Sequence, residues 1–178
     1  MKTLTELDHC VLAVIWRGGP ASAYGVRAHF AGSRTVSWSS STGTIYPAIR
    51  RLRQAGLLRA AAPAGPRKSE LLSLTPKGRA AIDAWLTKVT PELGSSIADP
   101  IRTRVHFLTA LDGPARKRVL EAYRAATRAA IARQEVALAA PATTEVARSE
   151  RLGTLGAVAE LKARLVWLDT AEREISEP

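Results

Sequence analysis

The run Ser39-Ser40-Ser41-Thr42-Gly43-Thr44 places five hydroxyl side chains and a glycine in six residues, with Tyr46, Arg50, Arg51 and Arg53 close behind. Small hydroxyls donate and accept hydrogen bonds, and guanidinium groups bind phosphate oxygens or guanine edges. A glycine lets another backbone approach closely. If the run opens a helix, its free N–H groups bring a positive dipole end to the same place. Together these are the parts of a surface that reads a polyanion. A second basic pair, Arg67-Lys68, follows Pro63-Ala64-Gly65-Pro66, a turn tip by composition. The candidate DNA contacts are therefore Ser40, Ser41, Thr42, Gly43, Thr44, Tyr46, Arg50, Arg51, Arg67 and Lys68. For Tyr46 the alternative is packing, and part of the arginine row is equally a solvated helix face.

No other chemistry is assembled. His9, His29 and His106 lie far apart, with no cysteine or carboxylate at metal-ligand spacing, so no metal is expected. Phosphate-binding loops, dinucleotide fingerprints and nucleophile elbows are missing, so neither a catalytic residue nor a cofactor is expected. Cys10 is the only cysteine; it cannot form an internal disulfide, which fits a reducing cytoplasm. The polar N-terminus and the lack of any apolar run near ~18 residues argue against a signal peptide and a membrane span.

Charge is distributed unevenly. Residues 1–90 hold 13 Lys/Arg and 4 Asp/Glu, a balance of +9, whereas residues 91–178 hold 13 and 12, a balance of +1. A merely basic protein would spread the excess; concentration in one half is the electrostatic footprint of phosphate binding.

The elements that must position these groups follow from periodicity. Thr5 caps a helix to about Trp16, with Asp8 at the reciprocal capping position and Leu7, Val11, Leu12 and Ile15 on one face. Cys10 reads as a small core residue. Ser22 caps a second helix to Ala31, carrying Tyr24, Val26 and Phe30. Ser41 caps a third, with Ile45, Ile49 and Leu52 as its stripe and Gly56 as its stop. Pro47 conflicts with that third helix, and sequence rules alone would split it there. Segments 57–62 and 69–74 flank the basic tip as a hairpin, although the first is too rich in alanine to read firmly. Thr75-Pro76 starts a fourth helix to about Val89, with Ala81, Ile82, Trp85, Leu86 and Val89 apolar. After a linker at residues 91–96, a helix beginning at Asp99-Pro100 carries Ile101, Val105, Leu108 and Leu111. Two long helices follow, one to about Ala139 and one of about thirty residues bearing Leu155, Val158, Leu161, Leu165 and Leu168.

Three helices, a hairpin with a basic tip and a Thr-Pro helix start describe a mainly α protein with a winged helix-turn-helix domain and a small β-hairpin wing. In that architecture the third helix enters the major groove and the wing reaches the flanking backbone. Residues 1–90 are expected to form this domain and residues 91–178 a C-terminal helical dimerisation domain. The rival reading is a winged-helix module whose basic half faces an acidic protein.

The segment from Ser41 to Leu52 with Gly56-Leu57-Leu58, the upstream Gly19-Pro20-Ala21-Ser22-Ala23-Tyr24-Gly25 and the downstream Leu74-Thr75-Pro76-Lys77-Gly78-Arg79 resemble the PadR-type transcriptional regulators. The likeness is good over about residues 8–88. The C-terminal half is similar to the longer-tailed PadR-like members. Leu71-Leu72 stand where the family's wing usually has an aromatic, and Thr42 stands for its proline. The resemblance implies a homodimer, a palindromic operator and repression relieved by a small effector. For Trp85, Tyr123 and Trp167, core or interface packing is the first reading, and lining a cavity for a small apolar or aromatic effector the second.

Overall fold

The computed structural model describes residues 3–32, 42–61, 70–94 and 99–176. The chain divides into two compact units, Met1–Gly94 and Ser95–Pro178.

In the first unit, helix α1 spans Glu6–Gly18. Its capping box is closed on both sides: the Asp8 amide donates to Thr5 Oγ1 at 3.2 Å, and the Thr5 amide donates to the Asp8 carboxylate at 3.0 Å. Helix α2 spans Ala23–Ala31, with the Gly25 amide donating to the Ser22 hydroxyl at 3.0 Å. Helix α3 spans Thr42–Gln54 without interruption, despite Pro47. The lost rung costs roughly 3 kcal/mol in a helix interior. Burying Ile45, Ile49 and Leu52 contributes about 1.5–3 kcal/mol each, and Ala48 closes the same seam. Three large apolar residues outweigh one rung. The gap also falls on the outer face, where Gly43 and Pro47 are both exposed.

Gly56, at φ 70°, ends α3. The Leu57 amide reaches back to the Leu52 carbonyl at 2.9 Å and the Gly56 amide to that of Arg53 at 2.9 Å, a Schellman closure. The Lys77 ammonium also donates to the Ala55 carbonyl at 2.8 Å, on a helix end that carries partial negative charge.

Strands β1, Leu58–Ala61, and β2, Leu71–Leu74, pair antiparallel, Leu58 opposite Leu74 and Ala61 opposite Leu71. The alanine-rich segment is thus a strand, because its partner supplies the ladder that its own propensity does not. Ala21 adds a bridge to Leu72 through two backbone bonds of 2.9 and 3.1 Å. Leu72 is buried, and its neighbour Leu71 faces outward in the ordinary strand alternation.

Helix α4 spans Pro76–Thr87 behind the Thr75 cap. It stops short of Val89, and both Leu86 and Val89 are exposed rather than part of the expected apolar face. Pro91 biases the residues before it away from helical backbone, and Lys88 is already extended. Residues Pro91–Gly94, expected as a linker, form a 3₁₀ turn. One core joins these elements: Val11, Leu12 and Ile15 of α1, Val26 and Phe30 of α2, the α3 stripe, Leu57, Leu58, Leu72 and Ile82.

The second unit consists of α5 (Pro100–Val105), a 3₁₀ turn at Leu108–Ala110, α6 (Gly113–Leu138) and α7 (Glu145–Ser176). The helix expected to reach Leu111 therefore ends early. The Phe107 amide pairs with the Arg104 carbonyl three residues back, and the tightened chain sets Leu108 into the core while Leu111 stays exposed. Asp99 caps α5 and holds Arg164 of α7 at 2.7 Å. Burial pushes the Asp99 carboxyl up, but the Ile101 amide and Arg164 outweigh it and hold the group below its ordinary value.

Helices α6 and α7 run antiparallel around Leu120 and Leu168. Across them, Arg124 is buried and donates to Asp169 at 2.8 Å, Glu172 at 2.5 Å and the Leu168 carbonyl at 3.3 Å. Its carboxylate partners keep more water: the Asp169 side chain is 66% exposed and that of Glu172 33%.

Two consequences are measurable by denaturant unfolding. A Cβ added at Gly78 would lie 2.1 Å from the Leu57 carbonyl oxygen. Gly78→Ala should therefore destabilise by about 3 kcal/mol, because backbone rather than a side-chain tip must move. In the second unit, removing Asp169 and Glu172 leaves the buried Arg124 only its longer 3.5 Å pair with exposed Glu121, whereas removing the cation strands only wetted acids. The pair Asp169→Ala and Glu172→Ala should cost more stability than Arg124→Met, and equal costs would refute this account of the cluster.

Candidate nucleic-acid interface

Helix α3 shows two faces. Ile45, Ala48, Ile49 and Leu52 point into the core, and Gly43, Thr44, Tyr46, Pro47, Arg50, Arg51 and Arg53 are exposed. Tyr46 keeps 45% of its surface accessible, so packing covers only part of the side chain. Arg50 makes no hydrogen bond or ion pair among the described residues. Among the described residues, a side chain added at Gly43 would meet nothing within 4 Å.

The other arginines of the row are already engaged. Arg51 donates to Asp8 of α1 at 2.7 Å, and Arg53 to Glu70, just before β2, at 2.9 Å. Both partners lie beyond the helix itself, so the row serves two purposes: Arg50 points outward, while Arg51 and Arg53 tie the helix to its neighbours. Of the remaining candidates, Ser40, Ser41, Arg67 and Lys68 lie outside the described residues. Thr42 opens the helix, and its side chain is likewise outside them.

Asp8 is the residue that sequence reasoning used only in part. It was legible as half of a capping box, yet its carboxylate, with the residue only 3% exposed, also accepts from Arg51. Burial pushes the Asp8 carboxyl up. The Thr5 amide, Arg51 and the Thr5 hydroxyl together outweigh that effect and hold it below its ordinary value of 3.8. Nothing in local spacing signals a partner 43 residues away.

The aromatic candidates fall in different units. Trp85 packs on the core of the first unit, stacks on His9 with ring centroids 5.3 Å apart and donates from Nε1 to Glu6 at 3.1 Å. Tyr123 and Trp167 pack together against Leu108, Leu120 and Leu168 of the second. Cys10 is buried in the first core, and burial with the nearby Glu6 charge pushes its thiol up to about 12. Among the described residues no helix is long and apolar enough to cross a membrane, and no group of three or more His, Cys, Asp or Glu could hold a metal ion.

The depressed Asp8 value gives a pH dependence of definite sign. A carboxylate whose folded pKa is lowered adds stability above its unfolded value and loses it as pH falls through the folded value. The stability advantage of the native chain over Asp8→Asn should hold level down to about pH 5. It should then shrink below the ordinary value of 3.8. Urea midpoints measured across that range check it; a gap that widens in acid would contradict the assignment.

No family model and no curated protein matches the chain. Solved structures do. The structure of Bacillus subtilis PadR in complex with operator DNA superposes with a TM-score of 0.80 at 18% identity, over 97% of this chain and 100% of that one. The same protein in complex with p-coumaric acid gives 0.76 at 20% identity, over 97% and 96%. A PadR-like transcriptional regulator from Bacillus cereus gives 0.67 at 17% identity, over 98% of each. At such identities the likeness speaks for architecture: this mainly helical chain with its small two-stranded wing has the fold of the PadR regulators.

Proposed function

We propose that this protein is a PadR-type transcriptional regulator: a homodimer that binds double-stranded DNA at a palindromic operator and acts in the cytoplasm as a repressor released by a small molecule. The observation that carries the reading is the outward face of α3. It presents Gly43, Thr44, Tyr46 and Arg50 on a helix whose other side is fully seated in a core. A major groove about 12 Å wide admits such a helix, with arginine and hydroxyl groups reaching base edges and phosphates. Ser40, Ser41 and Thr42, which precede these residues in the sequence, are proposed as further contacts, and Arg67 and Lys68 as contacts to the flanking DNA backbone. The +9 balance of residues 1–90 supports the same partner.

The dimer is proposed to form through the C-terminal helices. Leu152, Leu155 and Val166 stand exposed on α7, within about 60° of one another around the helix, a seam that a second copy would cover. Two protomers so joined would set their α3 helices about 34 Å apart, one turn of DNA. A ligand that alters this distance needs a coupling of only ~1–3 kcal/mol to release the operator. Of the aromatic candidates for a small apolar or aromatic effector, Tyr123 and Trp167 share one cluster and Trp85 belongs to the other unit. One of the solved PadR structures holds p-coumaric acid, a molecule of that class.

Selection of duplexes from a random pool, followed by anisotropy titration at several salt concentrations, tests the reading. Binding should weaken steeply with salt, and the selected sites should be palindromic. Arg67→Ala with Lys68→Ala, and separately Arg50→Ala, should each lower the salt slope by roughly one for every phosphate that is no longer neutralised. Failure of the native protein to bind any duplex in a salt-dependent way would end the proposal.

A further inference from the structure

The arginine row of α3 contains two different devices. The buried seam of Ile45, Ala48, Ile49 and Leu52 sets which face of α3 turns inward, but hydrophobic burial is non-directional and leaves the fine angle about the axis to be set by directional contacts. The interruption at Pro47 removes one backbone rung within the same helix. A rotation of about 20° moves the outer side-chain surface, ~5–6 Å from the axis, by about 2 Å, enough to break hydrogen bonds to base edges.

A directional contact fixes that angle. Arg51 Nη2 meets the Asp8 carboxylate at 2.7 Å, and Asp8 is itself immobilised by the Thr5 amide at 3.0 Å and the Thr5 hydroxyl at 2.9 Å. The acceptor is buried and belongs to the first turn of α1, so it cannot follow the arginine as a solvated surface acid would. Arg50 lies next to Arg51 in the chain, about 100° around the helix. Where Asp8 holds Arg51, the direction of Arg50, and with it Pro47 and Gly43, is set.

We propose that Arg51 is a positioning residue for DNA recognition, acting through Asp8 to fix the rotation of α3, rather than a phosphate contact. The inference rests on the DNA-binding reading above. It makes Asp8, on another helix and almost wholly buried, a determinant of sequence discrimination. The Arg51 side chain remains 45% exposed, so a direct phosphate contact is the competing outcome.

The experiment compares the full-length native protein with Asp8→Asn, Arg51→Met and the double variant. Each is confirmed folded by circular dichroism at pH 7 and titrated with the tightest duplex from the random pool and with a scrambled duplex. Each single variant should bind the selected duplex about tenfold more weakly, the effect of one mismatched base pair. The double variant should lose no more than either single, because both break one link. Affinity for scrambled duplex should stay within about a factor of two, and the salt slope should not drop by the roughly one unit that a lost phosphate contact would remove. If Asp8→Asn does not fold, the same ratio measured on Arg51→Met decides. A folded Asp8→Asn with native discrimination overturns the inference. So does an Arg51→Met that weakens both duplexes alike and lowers the salt slope. If the native protein binds no duplex, the DNA reading itself falls and takes this inference with it; if it binds and the variants match it, only the inference fails.

Discussion

The outward face of α3 is available because its inward face is fully occupied. Ile45, Ala48, Ile49 and Leu52 are nearly or wholly removed from water against residues of α1, α2 and β1. A helix with a rung missing at Pro47 would be a poor helix in isolation. Tertiary burial makes it continuous, and only a continuous helix keeps Gly43 and Arg50 on a common side, seven residues and about two turns apart. The other features of the first unit reinforce the same seat. The Schellman closure at Gly56 turns the chain into β1, Lys77 covers the carbonyl end of α3, and Gly78 lets α4 lie against the Leu57 backbone.

Polar links complement the apolar ones where direction matters. Asp8 with Arg51, Arg53 with Glu70, Arg164 with Asp99 and Arg124 with Asp169 and Glu172 each join two different elements. Pairs between exposed partners, such as Arg53 with Glu70, add little to stability. Those with one buried member are costly to break unilaterally, and so they define which arrangement of neighbours is tolerated. The two units use the device with opposite polarity: the buried member is an acid in the first and a guanidinium in the second.

Much of the fold was legible because it is written locally. Thr5, Ser22, Thr75 and Asp99 cap the helices whose starts their side chains announce, and spacings of three and four marked the buried stripe of α3. What escaped depends on partners distant in the chain. The alanines of β1 become a strand through β2, and α3 survives Pro47 through its core. The α4 and α5 ends were overextended because apolar residues such as Val89 and Leu111 were credited to faces that stop short of them. The candidate site was half legible. Residue types marked the outward row, but only the three-dimensional arrangement separates Arg50, which points away from the protein, from Arg51 and Arg53, which are held.

Cys10 limits the kinds of signal the molecule can receive. Its sulfur sits in the same packed interior that supports α3, with its proton bound far above neutral pH. Peroxides, electrophiles and disulfide exchange all require a thiolate within reach. In the folded state none is presented, so thiol oxidation has no covalent handle at Cys10.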